Sequence, residues 1–99
     1  MIYKVSITEE ALQEIRQAKE YYENQQPGLG DNFVEAITVH INSLKTGTVD
    51  HKPVIDHIRR VLVVRFPYVI YYTRSENLKS VTILAVLHDR MKNPLSRFG

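Results

Sequence analysis

The apolar residues of this chain follow two rhythms, and the change from one to the other divides it into halves. Ile2, Val5 and Ile7, with Tyr3, make a short β-rich opening of imperfect alternation, which predicts a first strand. Ala11, Leu12, Ile15, Ala18 and Tyr22 then recur at three- and four-residue spacing, the signature of an amphipathic helix that leaves Glu14, Arg16, Lys19 and Glu23 in water. Thr8 ahead of Glu9 and Glu10 marks its start: a hydroxyl suits the orphan amides of a first turn, and acids suit its dipole. Residues 24–30, reading NQQPGLG, form a short connection of the kind that joins antiparallel helices. Phe33, Ile37, Ile41 and Leu44 carry a second helix, with Asp31 or Asn32 expected as its cap and Gly47 at its close.

Beyond it the rhythm becomes that of strands. Residues 46–56 are polar and contain Gly47 and Pro53, so a surface loop is expected. Residues 61–64 are apolar and mostly β-branched, Phe66-Pro67 interrupts them, and residues 68–73 resume in β-favouring composition; Pro67 has no amide to donate and belongs at the junction. Ser75, Glu76 and Asn77 read as the next turn, and residues 81–88 as a long strand buried on both faces at its middle. Three strands with short links make an antiparallel meander. The expected order is β-α-α-β-β-β, an α+β domain with the helix hairpin packed on one face of an antiparallel sheet. The tail, residues 91–99, carries no assignable pattern.

Composition narrows the class. Ninety-nine residues, 43% hydrophobic and 24% charged, fit one ordinary globular domain spanning 1–99. The lack of cysteine excludes disulfide staples, thiolate metal sites and a cysteine nucleophile, and suits a reducing cytoplasm. No secretory leader or membrane-length apolar run is present, so a cytoplasmic protein is expected. His40, His51 and His57 lack a ligand spacing, so no metal is expected, and PGLG lies between helices rather than after a strand, so no phosphate loop is expected either. Charge is uneven: residues 1–50 carry four basic against eight acidic side chains, and residues 51–99 carry nine against three. A basic half attracts an anionic partner, nucleic acid or acidic protein, unless the two halves neutralise each other on folding.

With PGLG opening the second helix, RFPYVIYY across the strand junction and VLHDRMKNP closing the last strand, the chain resembles the RelE/ParE superfamily of bacterial toxins, and most closely its ParE-like, plasmid-stabilisation branch. The resemblance implies a growth-inhibiting toxin of a type II toxin–antitoxin system, without cofactor. It implies too a cognate antitoxin that neutralises the toxin and through which alone operator DNA is bound. RelE-like members cut mRNA on the ribosome, whereas ParE-like members are associated with inhibition of DNA gyrase. A third reading is a non-toxic interaction module on the same scaffold.

The residues favour binding over cleavage. Metal-independent RNA cleavage needs a base near the 2′-hydroxyl, an acid near the leaving oxygen and cations for the developing charge. Ribonucleases similar to RelE carry an arginine directly after the strand tyrosine and an aromatic acid or base near the C-terminus; here Val69 follows Tyr68, and no tyrosine follows Tyr72. If the chain is a ribonuclease, the candidates are His88, whose imidazole titrates near neutrality, with Arg65 and Arg60 as phosphate clamps. If it binds a target, Arg60, Arg65, Arg74, His88 and Arg90 are the candidates, with Arg59 in the same cationic surface. For each the bland alternative is strand-end solvation or a local hydrogen bond. Strand alternation sets Tyr71 opposite Tyr68 and Tyr72, and core packing with a wet hydroxyl is their expected role.

Overall fold

The computed structural model describes residues 2–47, 49–94 and 96–98, with the side chain of Arg97 outside what it describes. The elements run β1 (Lys4–Ile7), α1 (Glu9–Gln25), α2 (Leu29–Thr46), β2 (Pro53–Ile55), β3 (Ile58–Leu62), β4 (Tyr68–Ser75) and β5 (Ser80–His88), followed by a single 3-10 turn at Ser96–Phe98. The α+β layout therefore holds, with one strand more than the sequence pattern indicates.

Both helices form where their apolar periods lie. Thr8 caps α1 by accepting the Ala11 N–H on Oγ1 at 3.1 Å, and the same hydroxyl donates to the Leu84 carbonyl at 3.2 Å, tying the helix start to β5. The start of α2 differs from expectation. Neither Asp31 nor Asn32 caps it; Gly28, at φ 91°, is the cap residue, and the orphan amides of Gly28 and Gly30 donate to the Glu23 carboxylate at 2.9–3.1 Å. The tight connection brings the last turn of α1 against the first of α2, so a carboxylate expected in water serves the positive end of the next helix. Gly47 closes α2 in the left-handed conformation, φ 73°, as expected.

The five strands make one sheet in the order β1-β5-β4-β3-β2. β5, β4, β3 and β2 pair antiparallel, while β1 joins β5 in parallel, Lys4 opposite Ser80 and Ile7 opposite Ile83. The helix hairpin between β1 and the meander supplies the crossover that a parallel pair requires. β2 lies inside the expected loop: Pro53 and an irregularity between Pro53 and Ile55 suit a short edge strand, and such three-residue pairing leaves no alternation to read. β3 starts at Ile58 and ends at Leu62, earlier than the apolar run at 61–64, because Val63 and Val64 already enter the turn in which the Val63 N–H bonds to the Tyr68 carbonyl at 2.9 Å.

The core has two unequal parts. Phe33, Ile37, Leu44, Ile70, Tyr72, Val81, Ile83 and Val86 lie between helices and sheet. On the other face Ile58, Val69, Tyr71, Ala85 and Leu87 form a thinner layer, against which Leu84 and Phe98 pack. An irregularity opposite Tyr71 and Tyr72 places one extra residue, Leu84, in β5 and shifts the phase of its alternation, so that β5 serves both layers. The unassigned tail thus has a role: the Phe98 ring sits 6.0 Å from that of Tyr71. Leu95 lies outside the described residues.

Candidate functional site

Cross-strand pairing decides which candidate side chains meet, since directly opposed residues share a face. Arg60 opposes Tyr71 and so lies on the open face, whereas Arg59 opposes Tyr72, Arg74 opposes Val81 and His88 opposes Tyr68, all on the helix face. The single cationic surface expected of Arg59, Arg60, Arg65, Arg74 and Arg90 does not form. Adjacent residues of a strand point to opposite faces, and the two arginines nearest the C-terminal end of α2 are drawn into structural work.

Arg74 is the centre of that work. Only 12% of its side chain is exposed. Its guanidinium stacks 4.5 Å over the Tyr3 ring, donates to the Tyr3 hydroxyl at 2.8 Å and to the Gly47 and Val49 carbonyls at 3.3 Å, and pairs with Glu76 at 2.7 Å and with Asp50 at 3.8 Å. Arg59 pairs with the same Asp50 at 2.8 Å. The Tyr3 hydroxyl in turn donates to the Glu76 carboxylate at 2.7 Å, a hydrogen bond that, with Lys79 and Arg74 nearby, holds the Glu76 carboxyl below the usual carboxylate range. Beside this clasp the Tyr72 hydroxyl is bonded rather than wet. It accepts the His51 N–H at 3.2 Å and lies 2.7 Å from His51 Nδ1. The clasp closes the segment after α2 over the sheet.

Arg65, His88 and Arg90 gather at the opposite end, where β3 turns into β4 and β5 ends. The Asp89 N–H bonds to the Pro67 carbonyl at 2.8 Å, joining the two turns. His88 stacks edge-on against Tyr68, ring centroids 5.3 Å apart; its Nδ1 accepts the Arg90 N–H at 3.0 Å and lies 3.3 Å from Asp89. Arg65, exposed and at φ 74°, forms one wall of a groove of about 520 Å³ between α2 and the β3–β4 turn, floored by Leu29, Ala36, Val39, Val64 and Phe66. Val39 and Val64 are more than half exposed there. A non-glycine residue held left-handed costs roughly 1 kcal/mol, so Arg65 is aimed by the turn at a conformational cost.

Tyr22, Phe33, Phe66 and Tyr68 stack beneath this end. Burial pushes the phenols of Tyr22, Tyr68 and Tyr72 up, with neighbouring tyrosines adding to it for the first two. At neutral pH these groups are protonated. Of the three groups a ribonuclease would use, Arg65 and His88 share an end of the sheet while Arg60 faces away from both. The groove was not read from the sequence; its one local signal is Val39, an apolar residue off the stripe of α2.

A family model described as "ParE toxin of type II toxin-antitoxin system, parDE" matches residues 5–93. The chain belongs to the ParE toxin family. Among solved structures the ParE-family chain is similar to one titled "Chromosomal ParDE TA system from P. aeruginosa", with a TM-score of 0.73 at 14% identity over 88% of this chain and 96% of that one, a likeness of fold. No curated protein sequence matches it. Among the described residues of this ParE-family chain, no helix is long and apolar enough to cross a membrane.

Its groove carries one titratable group with a displaced pKa. Burial, with His51 nearby adding to it, pushes the His40 imidazole below the usual histidine range, and its Nε2 accepts the Val64 N–H at 3.2 Å. The unfolded chain therefore binds this proton more readily than the fold, and stability falls as pH drops through about 6.5 toward the folded pKa. The melting temperature is expected to be lower at pH 5.5 than at pH 7.5. His40→Gln, which keeps an acceptor for Val64 without a titrating ring, should flatten that slope; an unchanged slope would assign it to other groups.

Proposed function

We propose that this ParE-family toxin acts in the cytoplasm by binding a protein target such as DNA gyrase. The binding surface is the end of the sheet where Arg65, His88 and Arg90 lie, and a cognate antitoxin neutralises it. The observation that carries this reading is the separation of the cations: Arg60 occupies the open face and Arg74 is consumed by the clasp. Arg65 and the apolar groove beside it have instead the character of a protein-binding surface, an exposed arginine next to apolar residues. Arg60 remains a target contact only if the target reaches around to the open face. Operator DNA is bound through the antitoxin.

Expressed alone, the chain is expected to arrest growth, and the purified protein to inhibit supercoiling by gyrase while leaving translated messages intact in primer extension. Undisturbed supercoiling together with specific transcript cleavage would establish the ribonuclease alternative; normal growth with folded protein would establish the non-toxic one. Arg65→Gly separates stability from binding: it removes the left-handed strain, so the fold is at least as stable, yet it raises the half-inhibitory concentration by about tenfold or more if Arg65 is a central contact.

A further inference from the structure

The pole opposite the proposed target end carries the two most exposed large apolar residues among those described, Leu78 at 78% and Ile2 at 72%. β1 places them at the same end of the sheet: its parallel register sets Lys4 against Ser80, and the Lys4 N–H donates to the Lys79 carbonyl at 2.8 Å, so the residue leading into β1 and the β4–β5 turn lie at one pole. Leu78 stands at the tip of the β4–β5 turn, which is rigidly held. The Leu78 N–H donates to Ser75 Oγ at 3.2 Å, Lys79 takes φ 49° and reaches Glu76 at 3.4 Å, and Glu76 is bound to Tyr3 and Arg74. An apolar side chain presented on a fixed tip loses little entropy when it is buried by a partner.

Around Ile2 a groove of about 480 Å³ runs between β1 and the end of α2, with Ile2, Val5 and Ile41 among its apolar walls and Lys4 and Lys45 at its sides. The one acid at the tip, Glu76, is already held by Tyr3, Arg74 and Lys79, and among the described residues neither Lys4 nor Lys45 forms an ion pair. The local field is therefore positive around an apolar centre. Such a surface fits an apolar segment flanked by carboxylates.

We propose that the Ile2–Leu78 pole is the docking surface for an acidic, apolar segment of the antitoxin, so that the partner is gripped at the end of the sheet away from Arg65 and His88. This rests on the toxin reading above. The probe is the purified cognate antitoxin, tested with full-length toxin. Leu78→Asp is expected to fold normally, to arrest growth as the unaltered chain does, and to bind the probe at least about tenfold more weakly, with rescue of growth lost. The pair Lys4→Gln and Lys45→Gln is expected to slow association and to weaken its dependence on salt.

Unchanged affinity and rescue in Leu78→Asp would overturn the proposal while leaving the toxin reading intact. Loss of growth arrest with affinity for the probe retained would overturn it too, assigning the pole to the target. A wild-type chain that neither arrests growth nor binds the probe would overturn the toxin reading, and the proposal with it.

Discussion

Arg74→Met is expected to lower the free energy of unfolding by about 2–4 kcal/mol, combining the loss of several charge-assisted hydrogen bonds with the exposure of their partners' unmet demand. For a domain of this size that is a fall in melting temperature on the order of 10–20 °C. Methionine replaces most of the aliphatic stem, so the effect isolates the guanidinium. What it strands is specific: the Gly47 and Val49 carbonyls lose a donor, the Tyr3 ring loses its stacked cation, and Asp50 is left with Arg59. Arg74→Lys keeps the charge but not the planar fork and should fall between the two. Thermal denaturation followed by circular dichroism measures all three; a loss below about 1 kcal/mol in Arg74→Met would mean the contacts are replaced by water at no cost.

Gly47→Ala is expected to be comparably costly, about 2–4 kcal/mol, for a different reason. Its φ of 73° disfavours any side chain, and the added methyl group would overlap Cε1 and Cδ1 of Tyr3. Gly28→Ala is the control, because Gly28 is also left-handed at φ 91° but has nothing within 4 Å of the new carbon. It should cost only the backbone part, about 1–2 kcal/mol. Equal losses at the two positions would mean that Tyr3 gives way freely. Because Gly47 and Arg74 both act on Tyr3, the double variant Gly47→Ala/Arg74→Met should lose less than the two single losses added together.

These two positions show why the candidate site was only partly legible. Arg74 in sequence is one more arginine in a basic half, and its neighbours in the chain give no hint of Tyr3, which meets Glu76 across 73 positions. Glu23 on the polar side of α1 looks like a solvated acid until the next helix turns back onto it. The separation of Arg59 from Arg60 was implicit in strand alternation. Which face the helices would cover was not.

Local spacing alone determined the two helices, the left-handed close at Gly47, the long strands β4 and β5 and the opposition of Tyr71 to Tyr68 and Tyr72. Those features depend on residues within a few positions of one another, and the motifs RFPYVIYY and VLHDRMKNP sit within them. The tertiary structure alone decided the parallel pairing of β1, the edge strand β2, the packing of Phe98 on Tyr71 and the enclosure of Arg74. Each of these is a contact between segments far apart in the chain, chosen by which surfaces fit once the core has closed, and no short-range pattern encodes that choice.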